Sequence, residues 1–228
     1  MELFKPAWKG FDLEKGLKAV KREKNQSKLR EIAEEAMYTE QRLLAAAKLD
    51  DQTLAQKVFA KEARGSFFTD KEPGFFAIDC ITDQNVLADL VISHTDHDMC
   101  QRALNRITDQ PLLASVVTTG KYEVYHTGSI IRQNAVDRIH DQAILADLAK
   151  RVNESWAEDS GVSYKAVPRI TDQHLLAEVA LSTSWAGTGA EAASRITDKD
   201  LLADVAKNAK FDEVRKAAAK KLSAEKEG

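Results

Sequence analysis

After Asp172, apolar residues fall at the third, fourth, seventh and eighth positions: Leu175, Leu176, Val179 and Ala180. Asp198 is followed in the same way by Leu201, Leu202, Val205 and Ala206. Steps of three and four put these side chains on one face of a short helix. Reading backwards from Asp141, apolar residues stand two, five, six and ten places earlier, at Ile139, Val136, Ala135 and Ile131. That spacing gives another amphipathic helix, ending just ahead of the acid. The pattern predicts a first helix, a turn carrying Asp, and a second helix.

The unit recurs. "RITDQHLLAEVA" from Arg169 is nearly copied by "RITDQPLLASVV" from Arg106, "RIHDQAILADLA" from Arg138 and "RITDKDLLADVA" from Arg195. The turn acids are Asp51, Asp83, Asp109, Asp141, Asp172 and Asp198, with Asn25 in the slot of a weaker first copy. They lie 26 or 31–32 residues apart, so a constant unit carries a loop of two lengths. The longer intervals hold "ARGSFFTDKEPG", "TTGKYEVYHTG" and "NESWAEDSG", whose glycines and aromatics suit loops. Each turn carboxylate is expected to cap the second helix, accepting from unpaired N–H groups and complementing the positive helix end. Such a cap contributes about 1 kcal/mol. Alanine recurs six places before the acid (Ala77, Ala103, Ala135, Ala166 and Ala192), which lets neighbouring helices approach closely.

One helical pair of this size cannot bury its apolar face alone, so pairs must stack. The expected fold is all-α, with about seven stacked helical pairs in a single domain over residues 1–228. Residues 1–15 are expected to form an N-terminal cap, with Phe4, Trp8 and Phe11 folded onto the first pair. Residues 211–228 supply a C-terminal capping helix and tail, because "VRKAAAKKL" repeats the first-helix pattern with no second helix after it.

"VRKAAAKKL", "RQNAVDRI" and the Asp in the turn resemble HEAT repeats, over residues 10–222. The resemblance implies a curved, right-handed α-solenoid with first helices outside and second helices inside. It also implies surfaces that bind other proteins. The first unit departs from the pattern, with Glu23 where an Ile is usual and Asn25 for Asp.

Charge narrows the partners. The 228 residues include 33 Lys or Arg and 36 Asp or Glu, for a formal net charge of −3. That balance gives no general pull toward nucleic acid or an anionic membrane. No apolar run nears the roughly 20 residues of a membrane span, and "MELFKPAWKGF" lacks a signal pattern. Two cysteines, Cys80 and Cys100, make no disulfide framework, so a cytoplasmic protein is expected.

Six places after the acids the chain leaves the apolar stripe, at Asp89, Ser115, Asp147, Glu178 and Asp204, with Lys57 in an early copy. Asp89, Asp147, Glu178 and Asp204 would form an acidic row on the inner face. Two readings of the row stay open. It is a groove for a basic peptide or protein tail, or a charge network with Arg106, Arg138, Arg169 and Arg195, three places before the acids. Phe67, Phe68, Tyr122 and Tyr125 lie in loops that do not recur, which makes them further binding candidates. Trp185 and Phe211 share a register, eleven places before Ile196 and Leu222, which predicts packing between units. His94, His97 and Cys100 are ligand types spaced by three, but no fourth ligand accompanies them, so no metal and no cofactor is expected. No nucleophile–base arrangement stands out. The expected function is a non-catalytic scaffold for another protein or peptide, a basic one where it meets the acidic row. The alternative is a HEAT-like DNA glycosylase or another nucleic-acid-binding solenoid, which an acidic groove disfavours by repelling phosphates.

Overall fold

The structure, a computed structural model, describes residues 6–63, 72–93, 96–119, 127–151 and 160–224. Among the described residues it holds fifteen α-helices, two short 3-10 turns and no strand. The first helices are α1 (Leu13–Arg22), α3 (Thr39–Ala46), α5 (Glu72–Cys80), α7 (His97–Leu104), α9 (Thr127–Val136), α11 (Ser160–Ala166), α13 (Ala186–Arg195) and α15 (Asp212–Ala224). The second helices are α2 (Gln26–Glu35), α4 (Gln52–Ala63), α6 (Gln84–Ser93), α8 (Gln110–Thr119), α10 (Gln142–Lys150), α12 (Gln173–Ser182) and α14 (Lys199–Asn208). None of the helices is long and apolar enough to cross a membrane.

Every second helix starts at a turn acid or at Asn25. Asp141 accepts from the Ile144 N–H at 3.0 Å, Asp172 from Leu175 at 3.0 Å, and Asp198 from Asp200 at 2.9 Å. Asn25, Asp51, Asp83 and Asp109 bond Lys28, Leu54, Val86 and Leu112 in the same way. The apolar spacing closes the core. Ile81, Ile107, Ile139, Ile170 and Ile196, two places before the acids, are all at most 1% exposed, and the five recurring alanines are fully buried.

The close pairing is offset by one helix from the sequence unit. α2 packs on α3, α4 on α5, α6 on α7, α10 on α11, α12 on α13 and α14 on α15. Helices on either side of an acid turn, such as α13 and α14, touch less. Nine places before the acid four first helices carry a small residue, while α3 and α15, which pair as closely, carry Arg42 and Arg215. Gly74, Cys100, Ser163 and Gly189 are buried, and a Cβ on Gly189 would stand 3.4 Å from the Ala180 carbonyl of α12. The chain divides into two compact units, Met1–Ile107 and Thr108–Gly228. Within each, first helices lie beside first helices and second beside second, in two layers.

At the N-terminus Trp8 is buried, but Phe11 is 85% exposed, against the expectation that it folds inward. The Phe11 carbonyl accepts from Tyr38 Oη at 2.7 Å, which holds the backbone while the ring stays outside. Phe4 lies outside the described residues.

Polar side chains tie consecutive turns together. The Gln that follows the acid reaches forward. Gln142 Nε2 donates to the Arg169 carbonyl at 3.2 Å, and its Oε1 accepts from the Thr171 N–H at 2.7 Å. Gln110 bridges likewise to Arg138 and His140, and Gln26 to Lys48 and Asp50. In α4 the same link comes from Gln56, to Cys80 and Thr82. The cation three places before the acid reaches back. Lys48 donates to the Val20 carbonyl at 2.8 Å, Arg106 to Ile81 at 2.9 Å, Arg169 to Ile139 at 3.0 Å and Arg195 to Pro168 at 2.7 Å. Lys221, in the same register, donates to Ser194. Carbonyls at helix ends lack intrahelical partners and favour a positive charge, so each cation satisfies a need that every turn creates.

Candidate functional site

The acidic row is placed on second helices, and three of the four arginines expected to neutralise it are engaged elsewhere. Arg106, Arg169 and Arg195 are committed to backbone carbonyls of the preceding turn. The row finds other partners within its own layer. Lys150 Nζ lies 2.6 Å from Glu178, and Arg151 Nη2 lies 2.7 Å from Asp147 one helical turn before it. Asp204 accepts from Asn208 Nδ2 at 2.6 Å. Asp89 is exposed and makes no ion pair among the described residues. Asp89 belongs to the first unit; Asp147, Glu178 and Asp204 belong to the second. Phe67, Phe68, Tyr122 and Tyr125 lie outside the described residues.

A second surface emerges on the first-helix layer of the second unit. A groove of about 410 Å³ is lined by Tyr164 and Val167 on one side and by Trp185, Gly187, Thr188 and Glu191 on the other. Its origin is local. α11 is only seven residues long and passes into a 3-10 turn over Val167–Arg169, where Pro168 removes a backbone donor. α11 packs on α9 and α10, while α13 packs on α12 and α15. Gly187 puts no side chain into the space between, and a Cβ there would meet nothing within 4 Å.

Trp185 takes the N-cap position of α13 and makes no capping bond there, whereas Asp12 and Asp96 cap α1 and α7 from the equivalent place. Trp185 is 48% exposed and Tyr164 is 77% exposed. The expectation that Trp185 packs between units is therefore corrected. Phe211, its register mate, is half-buried with Lys210 Nζ 5.2 Å from the ring centroid. The sequence did carry a signal for the groove, an aromatic in a capping slot followed by two glycines. Tyr164 had none, because it stands off the apolar stripe of its helix.

Cys100 is buried, its thiol donates to the Val91 carbonyl at 3.7 Å, and burial, with Asp96 nearby, pushes its pKa up to about 12. His94 lies outside the described residues, and no group of three ligating side chains occurs among the described ones. Cys80 is half-buried and its thiol is raised as well, first by burial and then by Asp79. Compared with known proteins, the chain matches no family model and no curated sequence.

Proposed function

We propose that the protein is a non-catalytic interaction scaffold, a HEAT-like stack that binds a protein partner through the groove between α11 and α13. The groove carries this reading: two exposed aromatic residues flank a space that Gly187 leaves open. Exposed aromatics gathered in one concavity are the side chains on which interface affinity concentrates. The polar residues that recur are engaged at turns, so they serve the stack. The acidic row Asp89, Asp147, Glu178 and Asp204 adds a preference for a basic partner during encounter. It is a weak anchor, since exposed pairs such as Lys150–Glu178 contribute about 0–1 kcal/mol and exchange readily.

Affinity capture from a lysate of the source tests this. Trp185→Ala and Gly187→Phe are compared with the native chain and with a variant carrying Asn or Gln at Asp89, Asp147, Glu178 and Asp204. The native chain is expected to retain a protein that both groove variants lose about tenfold, with helicity and melting no lower than the native chain's. The charge-neutral variant should lose less as salt rises. Equal retention by native chain and groove variants rejects the groove, and retention of nothing rejects the scaffold.

A further inference from the structure

We infer that the groove recognises a cationic side chain, the lysine or arginine of a partner polypeptide, held against Trp185 and Tyr164 with Glu191 as its counter-charge. This rests on the reading of the groove as an interaction surface and names the chemistry that the surface selects.

Phe211 and Trp185 stand in the same register of successive units, eleven places before Leu222 and Ile196. Ahead of Phe211 the chain supplies Lys210, whose ammonium lies over the ring at 5.2 Å. Ahead of Trp185 it supplies Ser184, which brings no charge. Elsewhere Lys9 stands 4.6 Å from the Trp8 ring centroid and Arg102 stands 4.9 Å from that of Phe75. Aromatic faces attract cations through their quadrupole, most strongly those of Trp. At Trp185 no cation among the described residues stands over the ring.

The groove also carries an uncompensated negative charge among the described residues. Glu191 is exposed, lines the same space and has no ion-pair partner among the described residues. The neighbouring cations are committed elsewhere: Lys165 to Asp137 at 2.5 Å, Arg169 to the Ile139 carbonyl and Arg195 to the Pro168 carbonyl. A carboxylate beside two aromatic rings, with no cation of its own, repels anions and complements an ammonium or guanidinium. The groove has room for such a side chain. About 410 Å³ lies at the lower end of ligand-pocket volumes, roughly 300–1,000 Å³, enough for one long side chain and its neighbours. Gly187 keeps that room free, and the apolar lining suits the methylene stem of Lys or Arg.

The test uses the full chain with its tryptophan indoles labelled with nitrogen-15, and the Trp185 resonance assigned by its loss in Trp185→Phe. The probe is a blocked pentapeptide, Gly-Ala-Arg-Ala-Gly, titrated to millimolar concentration beside its citrulline counterpart, which keeps the shape and loses the charge. The arginine peptide is expected to shift the Trp185 resonance saturably, and the citrulline peptide to bind about tenfold more weakly. Glu191→Gln should weaken the arginine peptide severalfold and leave the citrulline peptide unchanged, while Gly187→Phe abolishes both. Equal binding of the two peptides, insensitivity to Glu191→Gln, or no shift with either overturns cation recognition. The capture experiment separates this failure from the wider one. If Trp185→Ala still releases a partner, the interaction surface stands without its charge preference; if capture ignores Trp185→Ala, both readings fall.

Discussion

Gly187 and Gly189 lie two residues apart on α13 and call for opposite responses to the same substitution. A Cβ on Gly187 enters open space, so Gly187→Ala only removes backbone freedom from the unfolded chain and improves helix propensity. It should stabilise by about 0.5–1 kcal/mol. A Cβ on Gly189 would stand 2.7 Å from Val214 Cγ2 and 3.0 Å from Thr183 Cγ2. Both neighbours are buried, Val214 completely, so neither yields cheaply. Overpacking of that kind costs about 1–3 kcal/mol, which outweighs the propensity gain. Urea melts of the two single variants check the pair, and a Gly189→Ala protein as stable as wild type would mean that α13 approaches its neighbours less closely than described. The contrast also separates two uses of one residue type: Gly189 lets helices touch, and Gly187 keeps a surface open.

At the scale of the helix, stability rests on links that local sequence only half discloses. The capping role of Asp172 is readable because its acceptor target, the Leu175 N–H, is three residues away. The role of Gln142 is not, because its partners Arg169 and Thr171 lie 27 and 29 residues on. One clue was present in the last copy, where Lys199 replaces the Gln and no acid turn follows. The helices themselves were legible from their three-and-four spacing, since burial of one face needs nothing beyond periodicity. Which neighbour each first helix grips was not, because the contacts that show it lie outside the unit, as where Gly189 approaches the Ala180 carbonyl of α12. Trp185 was misread for a related reason: register alone equated it with Phe211, while the short α11 and the change from Lys210 to Ser184 leave it open. Gln142→Ala removes a donor to the Arg169 and His140 carbonyls and an acceptor for the Thr171 N–H and hydroxyl and the Asp172 N–H, and should cost about 1–2 kcal/mol. Lys199→Ala, at the same register without a forward turn, should stay within about 0.5 kcal/mol. Chemical denaturation of both variants checks the link, and equal effects would remove it as a source of stability.

Across the whole molecule the same cap is repeated, and in the first unit it also makes stability depend on acid. Six Asp residues and Asn25 start the second helices, and Asp12 and Asp96 cap α1 and α7. Asp51 is held below the ordinary carboxylate range, first by the Leu54 N–H and then by Arg30, whose Nη2 lies 2.8 Å away. Asp12 is lowered chiefly by the Lys15 N–H, and Glu23 by the Asn25 N–H. A carboxyl whose folded pKa is depressed stabilises the fold fully above its unfolded pKa, about 3.9 for Asp and 4.3 for Glu. That contribution is lost as pH falls through the folded value. The melting midpoint should therefore stay nearly level from neutral pH down to about 5 and fall steeply below about 4. Asp51→Asn separates charge from geometry. Asn25 already caps α2 through its side-chain oxygen, so Asn at 51 keeps an acceptor for Leu54 and loses the titrating charge facing Arg30. The variant should start with a slightly lower midpoint at neutral pH and lose less than wild type on acidification. Thermal melts at pH 7, 5, 4 and 3 decide it: a wild-type midpoint that holds to pH 3, or an Asp51→Asn curve parallel to it, would mean that the ionised caps add nothing beyond their hydrogen-bond geometry.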